Sequence, residues 1–104
     1  MSNEPTLAGS DVIDDQGDKI GVAADVLFAA SDGHPSWVRV DHGIFKSRHT
    51  LVPLRGSYRT LTGTLVVPFR KDVVRRAPMV RVPVALTHDL EDRLAGFYGL
   101  TQNP

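Results

Sequence analysis

The chain has no cysteine in its 104 residues. That excludes a disulfide framework, a thiolate nucleophile and any cysteine-based zinc site. Aromatic residues are also scarce, at one Trp, two Tyr and four Phe, which leaves little material for stacking single-stranded bases. Long apolar runs are missing too. The nearest, residues 21–30, is interrupted by Asp25 and falls well short of the ~20 residues that span a bilayer, so no membrane insertion is expected. Residues 1–5 show neither the basic nor the apolar region of a secretory leader. A cytoplasmic protein with a frayed start at 1–5 is the expectation. Residues 6–104 are expected to form one domain, with somewhat under ~70% of the unfolded surface hidden on folding.

Charge sums to zero but is sorted along the chain. Residues 1–35 carry a net charge of −6, residues 36–81 carry +8, and the remainder carries −2. Such sorting fits an acidic or polyanionic partner. It equally fits an acidic N-terminal hairpin that neutralises basic strands within the same molecule, which is the favoured reading because charge patterning alone names no partner.

Residues 36–54 organise the rest. Two β-rich runs, 37–40 and 50–54, flank a connection containing Gly43, where positive φ costs least. Val38 and Val40 share one parity, as do Thr50, Val52 and Leu54, which predicts a hairpin with one buried side. Before it come a short strand over 10–13, an Asp- and Gly-rich turn at 14–18, and a run over 20–30. That run places Val22, Ala24, Val26 and Phe28 on one parity. Together these make a four-strand meander. Strands over 58–61 and 64–69, joined by Thr62-Gly63, bring the count to about six. Pro53 and Pro68 fall late in strands and mark ends, bulges or edges. Strands that bend at prolines suit a small closed or half-closed barrel.

A short helix is predicted over 70–77, ended by Pro78, followed by extended coil over 79–86. Thr87 reads as an N-cap, with Asp89 in the first turn, Leu90, Leu94 and Phe97 on one stripe, and Gly99 as the stop. These signals predict a helix near 88–98, too short to stand alone in water and therefore docked. The fold class is mainly β.

No catalytic constellation emerges. His42 and His49 flank the hairpin turn and are placed to face each other, but a metal needs three or four ligands with support behind them. They read as solvated loop residues, as do His34 and His88. Asp14, Asp15 and Asp18 are explained by their turn, and their spacing does not fit a calcium-binding EF-hand loop. Ser, His and Asp occur without a Gly-x-Ser-x-Gly elbow. No catalytic residue, cofactor or metal ligand is assigned, and no enzymatic activity is expected. Arg70, Lys71, Arg75 and Arg76 form the densest basic cluster and are the candidate contacts for an anionic partner. A solvated face, or pairing with the acidic hairpin, explains them as well. Ile44 and Phe45 sit at the hairpin tip, where they either fold back as a lid or enter a partner. Trp37, of opposite parity to Val38, is expected beneath the last helix against Leu94 and Phe97. Ile44, Phe45, Leu94, Phe97 and Tyr98 are the candidate interface.

Several segments resemble the PRC-barrel family, the β-barrel domain of the reaction-centre H subunit and of the ribosome maturation factor's C-terminal half. They are Asp14-Asp15-Gln16-Gly17-Asp18-Lys19-Ile20-Gly21, Trp37-Val38-Arg39-Val40, Gly43-Ile44-Phe45 and Val52-Pro53-Leu54. Further along come Val67-Pro68-Phe69, Lys71-Asp72-Val73-Val74, Ala77-Pro78 and Phe97-Tyr98-Gly99-Leu100. The resemblance, closest to small stand-alone bacterial members, implies a PRC-type barrel and an assembly or docking module without shared catalytic residues. The expected function is a non-enzymatic protein–protein interaction module that self-associates as a homodimer, covering its docked helix, apolar tip and unpaired strand edges. The alternative is an RNA-processing or ribosome-associated adaptor that contacts RNA or a ribosomal protein through the basic central segment.

Overall fold

A computed structural model describes residues 7–30 and 32–100. The fraying expected at 1–5 lies outside the described residues. Six strands form one sheet: β1 (Asp11–Asp14), β2 (Lys19–Phe28), β3 (Pro35–His42), β4 (Arg48–Pro53), β5 (Tyr58–Arg59) and β6 (Leu65–Val67). Two helices follow, α1 (Lys71–Arg75) and α2 (His88–Tyr98). The sheet order is β4-β3-β2-β1-β6-β5. The first four strands make the expected antiparallel meander. β6 then returns to the far side of β1 and pairs with it in parallel, Val12 opposite Leu65 and Asp14 opposite Val67. β4 and β5 remain as the two edges, so the barrel-like sheet is not closed by strand pairing.

The central hairpin departs from expectation in one respect: both of its faces are buried. Cross-strand pairs share a face, and Val38 opposite Val52 and Val40 opposite Thr50 fill one side. On the other, Trp37 lies opposite Pro53 and Leu51 opposite Arg39, with Trp37 and Leu51 also buried. Continuous apolar character in this stretch therefore reflects two-sided burial. β2 differs as well. A bulge between Ala23 and Asp25 shifts its register against β3, because an extra residue in one strand reverses the alternation beyond it. Ala23, opposite Val40, and Val26, opposite Val38, therefore share a face despite opposite parity. Ile20 and Ala23 are buried, Val22, Ala24 and Val26 only partly so, and Phe28 is exposed. Gly21 is required where β2 meets β3, since a Cβ there would collide with the Asp41 carbonyl oxygen.

The Asp14 carboxylate ties the first turn to α1. Its Oδ1 accepts from the backbone N–H groups of Gln16 and Asp18, each at 2.9 Å, and its Oδ2 accepts from that of Lys71 at 2.9 Å. Burial pushes this carboxyl up, but the three N–H groups and the nearby Arg70 charge outweigh it and hold the group below its ordinary value.

α2 begins and ends as its sequence predicts. The Thr87 hydroxyl accepts from the Leu90 N–H at 3.2 Å, satisfying one orphan donor of the first turn. Gly99 takes left-handed φ of 73°, and the Leu100 N–H donates to the Ala95 carbonyl at 2.8 Å, a Schellman ending. Leu94 is fully buried, Tyr98 nearly so. Trp37 meets this helix through the Tyr98 ring, 6.4 Å away between centroids, and the Glu91 carboxylate, in place of the expected Leu94 and Phe97. Glu91 Oε2 accepts from Trp37 Nε1 at 3.0 Å, and its Oε1 accepts from the Ala30 N–H at 3.2 Å.

Candidate interaction surface

The connection from β3 to β4 forms a knob. Gly43 leaves β3 with φ 84°, and residues 44–46 make a single 3₁₀ turn. Within it Phe45 and Lys46 have φ of 56° and 54°, the left-handed region that costs an L-residue roughly 1–2 kcal/mol. The turn is held by Lys46 N–H donating to the Gly43 carbonyl, and by the Ser47 N–H and hydroxyl both donating to the Ile44 carbonyl. This geometry leaves Ile44 79% and Phe45 97% exposed. The lid expected as one alternative does not form: neither side chain folds back. Leaving a Phe in water forgoes roughly 2 kcal/mol of burial, so backbone strain and apolar exposure fall on the same residue with no return inside the chain.

The remaining expected interface residues divide differently. Leu94 and Tyr98 are corrected to core positions, because α2 turns both inward. Phe97 stands beside them, 39% exposed, with its ring edge-on to Tyr98 at 5.0 Å. The strand edges are also less available than expected. Along β4 the outward carbonyl of His49 accepts from the Val80 N–H at 2.9 Å, and that of Leu51 accepts from the Tyr98 hydroxyl at 2.7 Å. β5, the other edge, is two residues long, and short or covered edges resist strand addition. Phe28, Tyr58, Leu61 and Met79 are exposed elsewhere, but the tip sets two adjacent apolar residues in water, Phe45 on a left-handed backbone, a feature that parity could not reveal because it depends on backbone handedness.

Of the basic cluster, Arg75 donates Nη2 and Nε to the Ile20 carbonyl at 2.9 and 3.3 Å. Arg76 turns back onto Asp72, reaching its carbonyl at 3.2 Å and Oδ2 at 3.5 Å. Lys71 contributes its backbone N–H to Asp14, and the Arg70 charge acts on the same carboxylate. Helix α1 is shorter than the expected 70–77 because Arg76 already ends it.

His42 and His49 do not face each other. The register sets Asp41 opposite His49 and His42 opposite Arg48, so the two imidazoles occupy opposite faces. His49 Nδ1 lies 2.7 Å from Asp41 Oδ1, and Arg39 clamps the same carboxylate through Nε and Nη2 at 3.0 and 3.1 Å. Burial raises the Asp41 carboxyl, but Arg39 and His49 together bring it below its ordinary value. His42 is 3% exposed, with Nε2 3.3 Å from the Thr50 hydroxyl. Burial depresses its ring, and the positive charges of Arg75 and Arg48 depress it further. Among the described residues no group of three or more His, Asp or Glu side chains is placed to hold a metal ion, and no described helix is long and apolar enough to cross a membrane.

The PRC-barrel domain model matches residues 5–74, which takes in β1 through α1 up to Val74 and leaves α2 beyond the match. No match was found among curated proteins.

Proposed function

Because the chain belongs to the PRC-barrel domain family, we propose that it is a small non-catalytic protein-interaction module that self-associates as a homodimer through Ile44 and Phe45. The observation that carries this reading is Phe45, 97% exposed on a left-handed backbone. Strain of that kind concentrates where surrounding structure holds a residue for use, and aromatic anchors dominate interface energetics. Two copies related by a two-fold axis would bring the same patch together. One Phe and its neighbours bury a few hundred Å² at most, below the ~1,200 Å² of standard interfaces, so the dimer is a weak, exchanging one. The RNA-facing alternative has less support, since Arg76 already turns back onto Asp72.

Light scattering coupled to size-exclusion chromatography tests the reading. The unaltered chain should gain dimer as its concentration rises into the high micromolar range, and Phe45→Asp should remain monomeric with an unchanged circular dichroism spectrum. A monomer at every concentration, or a dimer indifferent to Phe45→Asp, overturns it.

A further inference from the structure

Beside the tip lies a cleft of about 300 Å³, lined by Lys19, Gly21, His42, Gly43, Lys46 and Arg75 among others. Three elements converge on it: the start of β2, the end of β3 with its turn, and α1. Its charges do not cancel. Asp41, the acid on its wall, is already paired with Arg39 and in hydrogen-bond reach of His49 on the far side of the strand. Lys19 pairs with Asp11 at 3.2 Å, both exposed, a contact that water screens heavily. Among the described residues neither Lys46 nor Arg75 has a carboxylate partner. Arg75 is fixed in place by its two bonds to the Ile20 carbonyl, which leave the guanidinium charge uncompensated.

His42 supplies a second, independent observation. Its side chain is almost wholly buried, and its one hydrogen-bond partner among the described residues is Thr50, at Nε2. Nδ1 is left without one, and a buried polar atom of this kind ordinarily has a partner. The left-handed backbone that exposes Phe45 also sets Lys46 on the cleft wall, so an apolar knob and a cationic recess adjoin.

We propose that this cleft receives a carboxylate from an acidic segment of a partner protein. The proposal rests on the interaction-module reading above and adds a second partner, bound beside the tip and distinct from the second copy that meets it. A nucleic-acid backbone fits less well. Arg70 and Arg76 are not among the lining residues, so the cations make one recess and not the track that a run of phosphates follows, and no row of aromatic side chains accompanies them.

The test is an NMR titration of the full chain with a decameric polyglutamate, which has no apolar residue and therefore reports on the cleft alone. Shifts are expected at the amides of Gly21, Gly43 and Lys46 and at the His42 ring, weakening as salt rises. Lys46→Glu should lower affinity about tenfold or more, as charge reversal at a rim does, while Phe45→Asp, which removes the tip, should leave those cleft shifts in place. Absence of shifts, or affinity unchanged by Lys46→Glu, overturns the proposal without touching the tip-mediated dimer. Inorganic phosphate or decauridylate binding the same residues more tightly than polyglutamate overturns the carboxylate assignment. Concentration-dependent shifts at Lys19 and Arg75 without any peptide would give the cleft to a second copy, and overturn it too.

Discussion

The Tyr98 hydroxyl donates a 2.7 Å hydrogen bond to the carbonyl oxygen of Leu51, fastening the final helix to the margin of the sheet. The same ring meets Phe69 edge-on at 4.8 Å and Phe97 at 5.0 Å. Burial pushes the phenol far above its ordinary value, so it remains a donor at every working pH. Tyr98→Phe keeps the ring contacts and orphans a carbonyl, and should cost about 1–2 kcal/mol. Tyr98→Ala removes both and should cost about 3–5 kcal/mol. Urea denaturation separates the two; equal losses would mean that the ring contributes nothing beyond its hydroxyl, and no loss in Tyr98→Phe that the hydroxyl contributes nothing.

Asp14 should be the most sensitive acid in the chain. Asp14→Ala abolishes three backbone contacts at once, and a loss of about 2–4 kcal/mol is expected for hydrogen bonds to a buried charge. In a domain of this size that lowers Tm by roughly 10–20 °C. Asp14→Asn retains an oxygen for Gln16 and Asp18 but offers an amide to the Lys71 N–H, so its loss should be intermediate. Asp15→Ala, exposed in the same turn, serves as the control and should change little.

His42 gives stability a pH dependence of predictable sign. Its folded-state value lies below the ordinary 6.5, so the folded chain prefers the neutral ring. Above pH 6.5 neither state binds the proton and the contribution is complete. As pH falls below 6.5 the unfolded chain takes up a proton that the folded one refuses, and stability declines by at most about 1.4 kcal/mol per pH unit until the folded value is reached. Asp14 and Asp41, also held below their ordinary values, lose their contributions only in the more acidic range around and below 3.8. Denaturation at pH 7.5 and 5.5 should show the decline, and His42→Gln should flatten it. An undiminished slope in that variant would assign the effect to another group.

At the tip, stability and association should move in opposite directions. Phe45→Gly relieves the left-handed strain and removes an exposed ring, and is expected to raise stability by about 0.5–1 kcal/mol after the extra freedom of the unfolded chain is counted. The same substitution should abolish dimer formation. A destabilised Phe45→Gly would show that the ring packs within its own molecule.

Much of this architecture is legible from short-range signals. Thr87 and Gly99 bracket α2 because capping chemistry acts within one turn, and Pro53 closes β4 on the sheet edge where its missing N–H costs nothing. What escapes is whatever depends on distant partners. The bulge beside Ala24 carries no mark in composition, yet it sets Val26, opposite Val38, on the same face as Ala23, opposite Val40. The reach of Asp14 to Lys71 is invisible because turn residues look alike whether or not a helix leans on them. Leu94, on the apolar stripe, and Tyr98 beside it read as interface candidates, but the helix's packing partner, which includes Trp37 and Leu51, is what makes them core. The tip was identified by its apolar residues, while its use rests on φ angles that no local rule for Phe or Lys supplies.

The parallel seam between β1 and β6 also has a consequence for how the molecule assembles. During synthesis β1 emerges first, yet one of its two flanks has nothing to pair with until Leu65 and its neighbours exist, more than fifty residues later. By then β2, β3 and β4 have had ample opportunity to zip together through their adjacent reverse turns, which demand far less loop closure. The newest portion of the nascent chain thus completes the oldest. Any ribosome that stalled before residue 65 would leave an opening strand bare along one side, next to neighbours that had already found their places.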